Sequence, residues 1–133
     1  MGRTYTHSLL FTVGDYLAGG VTGAVTAAAV HGCIAPETDM VVAMVIGMAV
    51  GMVVHTGAVL VLAPVLGMWH VLVPHSIIGR YGGMLFAMRD SMQSRSLEWV
   101  LLIGAGFGVV VIAVMQLYNR ILTKGSSSAL GRE

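Results

Sequence analysis

Three stretches of this chain, residues 17–35, 40–63 and 99–119, contain no Asp, Glu, Lys or Arg. A helix rises about 1.5 Å per residue, so each could cross the roughly 30 Å of hydrocarbon in a bilayer. A chain of 133 residues cannot hide three such segments inside one water-soluble core. Only 10% of its residues are charged, against roughly 25% in soluble domains. The expected fold class is all-α integral membrane: a small bundle of three transmembrane helices plus a fourth segment, amphipathic or spanning. The expected organisation is an interfacial lead-in over 1–16 and a helical bundle over 17–122. Its helices are read at 17–35, 40–63, 71–92 and 99–119, and a polar, disordered tail follows over 123–133.

The second helix has the most distinctive pattern. Met40, Met44, Met48 and Met52 recur every fourth residue, followed by His55, while Ala43, Gly47 and Gly51 each directly precede a Met. Residues four apart stack along one helical face. A thioether row therefore runs beside a groove of small residues. The first helix carries two small-residue rows, Gly19-Gly23-Ala27 and Gly20-Ala24-Ala28-Gly32. Such rows let backbones approach closely, so this helix is expected at the centre of a bundle or oligomer. Its Thr22 and Thr26 can bond back to the helix or across to a neighbour. The groove of the second helix is expected to receive this first helix, and its Met row to meet the Met84–Met92 face. In the last helix Gly104 and Gly108 form a further GxxxG pair, with Trp99 and Tyr118 placed as an aromatic girdle. The helix-packing glycines are thus Gly19, Gly23, Gly47, Gly51, Gly104 and Gly108. Gly104-Ala-Gly106-Phe-Gly108 is not a phosphate loop, because no strand precedes it. Between the first two helices, Pro36 to Asp39 reads as a tight turn in which Thr38 or Asp39 caps the next helix. Pro64 ends or kinks the second helix.

The segment 71–92 divides the topology. Ile77, Tyr81, Met84, Met88 and Met92 fall on one face and Arg80, Asp90 and Gln93 on the other. If it lies at the interface, it needs no special account. If it spans, Arg80 sits near mid-depth, at a cost of about 2.5–3.5 kcal/mol on translocon scales. Spanning puts Arg3, Arg120, Lys124 and Arg132 on one side and Arg89 and Arg95 on the other with Asp90 and Glu98, which fits the positive-inside tendency better. The preferred reading is four crossings with both termini cytoplasmic, in a bacterial-type inner membrane.

Soft thioethers suit Cu(I). Met44, Met48, Met52, His55, Met84 and Met88 are the candidate ligands, with Met92 adjoining them. The Met44-x3-Met48 spacing and the Gly104-x3-Gly108 pair are similar in kind to the Ctr family of copper-uptake transporters, whose trimers place MxxxM and GxxxG on successive helices. The likeness implies a Cu(I) pathway, although this chain lacks the Met-rich extracellular N-terminus. Packing is the stronger account of the same residues, since Met fills irregular gaps between helices. No cofactor other than Cu(I) is suggested. Of the histidines, His31 and His55 fall at different depths, so they make a poor axial pair for haem. His7, His55 and His70 fall near one interface, where a shallow site is conceivable.

No nucleophile elbow, HExxH or paired-acid motif occurs. The acids Asp15, Glu37, Asp39, Asp90 and Glu98 are read at helix ends as solvated anchors or caps. Cys33 is the only cysteine and excludes an internal disulfide. A formal charge of +1 with no basic stripe argues against nucleic acid. The expected partners are the lipid bilayer and either further copies or a larger membrane complex. The expected function is non-enzymatic: an oligomeric or accessory subunit, with Cu(I) binding or transport as the alternative. A small channel or carrier using Arg80 is the weaker third reading.

Overall fold

A computed structural model describes residues 3–66, 68–93 and 96–130, with side chains described over 11–64, 68, 72–93 and 96–122. These residues form an all-helical fold, with no strand among them. α1 runs Arg3–Cys33, α2 Met40–Leu66, α3 Met68–Ile77, α4 Gly83–Met92 and α5 Leu97–Leu130. Between α3 and α4, Ile78–Gly82 is a π-helical turn with helical dihedrals on both sides, Ile77 at φ −65° and Gly83 at φ −56°. α3, the π turn and α4 are therefore one continuous helix, 68–92, about 37 Å long. Segments within α1, α2 and α5, namely Phe11–Cys33, Met40–Pro64 and Leu97–Leu122, are long and apolar enough to cross a membrane.

Local chemistry explains the boundaries. α1 stops short of Pro36, with the Thr38 N–H donating to the Ala35 carbonyl at 3.0 Å across the turn. Asp39, one of the two expected caps, takes that role. The Val41 and Val42 N–H groups donate to its Oδ1 at 2.9 and 3.4 Å, satisfying two of the orphan donors at the helix start. Pro64 is accommodated within α2, two residues before its end. At the start of α5, Glu98 lies in the first turn, where it complements the helix dipole.

Two boundaries differ from expectation. α1 begins at Arg3, so the lead-in over 1–16 is continuous with the first helix. α5 continues through Leu130, so the polar tail is helical to that residue, while 131–133 lie outside the described residues. The hydrophobic stretch propagates helix at both ends, because each added residue contributes a hydrogen bond once a turn exists.

Glycine contacts set the packing. α1 and α5 run antiparallel: a Cβ on Gly19 would collide with Ile112, one on Gly23 with the Gly104 carbonyl, and one on Gly108 with the Gly19 carbonyl. α2 and the 68–92 helix meet in the same manner, Gly47 against Gly83 and Ala87, and Gly51 against Gly79. The expected pairing of the α2 groove with α1 is therefore corrected. Each glycine groove closes on another glycine groove, α1 with α5 and α2 with 68–92, because only paired small residues allow both backbones to approach.

α1 packs against every other helix, as its two small-residue rows predict. The core gathers Ala27, Val30 and Ile34 of α1, Ala43 of α2, Phe86 and Ala87 of α4, and Val100 of α5. Phe86 meets Phe107 edge to face, with ring centroids 5.7 Å apart, a favoured aromatic geometry. Thr26 is fully buried and donates its hydroxyl to the Thr22 carbonyl at 2.8 Å.

Gly104 and Gly106 give a paired test. A Cβ at Gly104 would lie 2.6 Å from that of Ala27, whereas Gly106 has nothing within 4 Å. Gly104→Leu is expected to lower stability in detergent by about 2–3 kcal/mol, and Gly106→Leu by less than about 0.5 kcal/mol, read by thermal unfolding. Equal losses would contradict the packing.

Candidate functional site

The seam between α2 and the 68–92 helix has two sides. Ile46 and Val50, each one residue before a seam glycine, pack on the core with α1. Phe86 and Asp90 of α4 turn the same way, Phe86 toward α5 and Asp90 toward α1. The residues one position after the small seam residues, Ala43, Gly47 and Gly51 on α2 and Gly79, Gly83 and Ala87 on the partner helix, flank the opposite side. These are Met44, Met48 and Met52 on α2, and Arg80, Met84 and Met88 on the partner helix. Met44, Met48, Met84 and Met88 are half-buried, Met52 is 52% exposed and Arg80 is exposed.

The glycine register fixes their levels. Gly47 lies against Gly83 and Ala87, and Gly51 against Gly79 and Gly83. In an antiparallel pair this sets Met40 level with Met92, Met44 with Met88, Met48 with Met84, and Met52 with Arg80. Four rungs thus descend one outward side of the seam, three of paired thioethers and one of thioether and guanidinium. Arg80 is halfway along the 68–92 helix, within the π turn, a deformation frequent at functional sites. Among the described residues its side chain has no ion-pair or hydrogen-bond partner.

His55, the remaining candidate ligand, is separated from this ladder. It packs across the seam, where a Cβ on Gly79 would come within 2.7 Å of its own. Its Nδ1 is buried with no hydrogen-bond partner, and a backbone group of His75 lies within reach of the ring. His75, itself 2% exposed, is thus the histidine brought beside His55. The side chains of His7 and His70, read with His55 as a shallow site, lie outside the described residues, as does that of Trp69. Among the described residues, no cluster of three or more His, Cys, Asp or Glu side chains is placed to hold a metal. Cys33 is exposed at the end of α1.

At the opposite face of the bundle end, His31 Nδ1 lies 3.0 Å from Asp90 Oδ2. A carboxylate only accepts, so Nδ1–H is the donor. Asp90 is 3% exposed, so its reading as a solvated anchor is corrected: the close approach of α4 to α1 buries it against a histidine. His31 is in the last turn of α1, where positive charge is favoured by the helix dipole. Apolar spacing placed neither group with the other, because they are 59 residues apart.

Asp15, also read as an anchor, is half-buried and lines a cavity of about 370 Å³ with Pro74, Gln116 and Asn119. The continuation of α1 below residue 17 brings it there. Trp99 and Tyr118 are 56% and 60% exposed near the two ends of the apolar part of α5, where a girdle requires them. The chain matches no protein-family model, no curated protein and no solved structure.

The His31–Asp90 contact is testable by a double-mutant cycle. His31→Leu alone leaves a buried carboxylate unpaired and is expected to cost about 1–3 kcal/mol in thermal unfolding. His31→Leu combined with Asp90→Leu should cost less than the two single changes added together. Strict additivity would contradict the contact.

Proposed function

We propose that this chain is a four-crossing membrane protein that serves as an oligomeric or accessory subunit of a membrane complex, without catalytic activity of its own. The observation that carries this reading is the outward side of the α2 seam. It combines flexible, half-buried methionines with an unpartnered arginine at mid-height. An Arg facing hydrocarbon at that level would cost about 2.5–3.5 kcal/mol on insertion scales, so a face of this kind favours cover by protein.

Four crossings are supported by the antiparallel path of 68–92 along α2. The membrane setting is supported by the apolar surfaces of α2 and α5, where Val53, Leu60, Val61, Leu102 and Tyr118 are all exposed. In this arrangement the end of α4 and the start of α5 lie on the side opposite to Arg3 and Leu130. Assignment of the termini to the cytoplasm, and of the protein to a bacterial-type inner membrane, rests on the loop-charge asymmetry alone.

The register of the thioethers favours a second reading, Cu(I) binding or transport. Met44 with Met88 and Met48 with Met84 offer two neighbouring pairs of soft, neutral ligands. His55 belongs less naturally to this set, because it sits within the seam. A small channel or carrier using Arg80 is a third reading with less support, since the cavity of about 370 Å³ is lined by Asp15, Gln116 and Asn119, and that of about 490 Å³ by Met88, Arg89 and Gln93, and neither by Arg80.

Mild extraction of native membranes followed by native electrophoresis tests the first reading. The chain is expected to migrate within an assembly larger than the protomer, and migration as a lone protomer would contradict it. Titration of the purified protein with Cu(I) against a competing chelator tests the second. Binding is expected to fall on changing Met44, Met48, Met84 and Met88 to Leu, which preserves volume and apolarity. No binding by the wild type, or equal binding by the variant, would exclude this reading.

A further inference from the structure

Arg80 identifies the chemistry of what covers this face. It stands twelve residues from either end of the 68–92 helix, about 18 Å, further than an extended arginine can reach to the headgroups. Its guanidinium therefore stays at mid-depth. The residue set level with it across the seam is Met52, whose thioether accepts hydrogen bonds only weakly. An anionic partner is needed, and a carboxylate matches the planar donor fork of arginine in bidentate geometry.

No carboxylate of the described residues could be supplied to that level by a second copy. Its acids are Asp15, Glu37, Asp39, Asp90, Glu98 and Glu133. Asp90 is engaged by His31. Asp15 lines the cavity with Pro74, Gln116 and Asn119, away from the seam. Glu37 and Asp39 lie in the turn before α2 and Glu98 is in the first turn of α5, while Glu133 lies outside the described residues. Among the described residues, none stands at the level of Arg80. A two-fold pairing of this face with itself would also bring like charges together at one depth.

We propose that the face formed by Arg80 and the rows Met44-Met48-Met52 and Met84-Met88 docks a transmembrane helix of a different membrane protein, one bearing a single Asp or Glu near mid-depth. This rests on the reading of the chain as a subunit and specifies its partner. The methionines adapt to the contour of the incoming helix, while the ion pair selects it and fixes its depth. With no carboxylate in place, the buried-face arginine disfavours any wholly apolar helix, which gives the site its discrimination.

The test uses the full chain in phosphatidylcholine vesicles with a labelled leucine–alanine helix of about 22 residues, carrying either Asp or Leu at its centre, and reads association by energy transfer. The Asp helix is expected to bind the wild type at least about tenfold more tightly than the Leu helix. Arg80→Leu should abolish the difference, and Arg80→Lys should retain part of it. Equal binding of the two helices, or an unchanged Asp preference in Arg80→Leu, overturns the proposal. Self-association of the chain that depends on Arg80 assigns the face to a second copy and also overturns it. In native membranes, a larger assembly that survives Arg80→Leu removes this inference and leaves the subunit reading standing. A wild-type chain that migrates alone removes the subunit reading itself.

Discussion

Contact of glycine on glycine between antiparallel helices is the constraint on which this structure depends. Side chains normally hold helix axes about 8–10 Å apart. At Gly23 with Gly104, and again at Gly51 with Gly79, the backbone carbonyl of one helix occupies the space a Cβ of the other would need. Within a bundle of this kind the hydrophobic effect gives little preference for one apolar neighbour over another. Partner choice then follows from which surfaces can approach closely. The two glycine seams select two helix pairs, and α1 joins them through Ala27, Val30 and Ile34.

The candidate surface follows from the second seam. With Gly47 and Gly51 committed to Gly83 and Gly79, the residues that follow them are carried to the outward flank. This brings the methionine rows of α2 and α4 into register and sets Arg80 on the same flank at mid-height. The inward flank receives Ile46, Val50 and Phe86 and brings Asp90 to His31. One register thus accounts for both a packed, internally satisfied side and an incomplete one. The incomplete side supports the proposed role in a larger assembly, with thioether coordination of Cu(I) as the chemical alternative.

Much of the fold was legible in the sequence. Charge-free runs gave the three apolar helices, Asp39 the cap of α2, the small-residue rows the central position of α1, and Thr26 its bond back to the helix. What could not be read was which groove meets which. The shared methionine spacing led to an expected meeting of the α2 Met row with the Met84–Met92 face. Gly79 and Gly83, however, are too few and too close to Arg80 and Tyr81 to announce a packing face, so the closure of the α2 glycine groove on them emerged only in three dimensions. The same holds for His31 with Asp90 and His55 with His75, whose partners lie far apart in the chain. Their proximity is a product of helix pairing, which local periodicity does not encode. The helix read at 71–92 begins earlier, at Met68, and contains a π turn that local periodicity did not announce.

The antiparallel register of α2 against 68–92 is the central claim, and disulfide trapping in native membranes tests it most directly. In a Cys33→Ser background, the pair Met44→Cys with Met88→Cys and the pair Met48→Cys with Met84→Cys should each form an intramolecular disulfide on mild oxidation. The off-register pair Met40→Cys with Met84→Cys, two helical turns apart in level, should not. Cross-linking of the off-register pair in preference to the other two, or no cross-linking in any of them, would contradict the account.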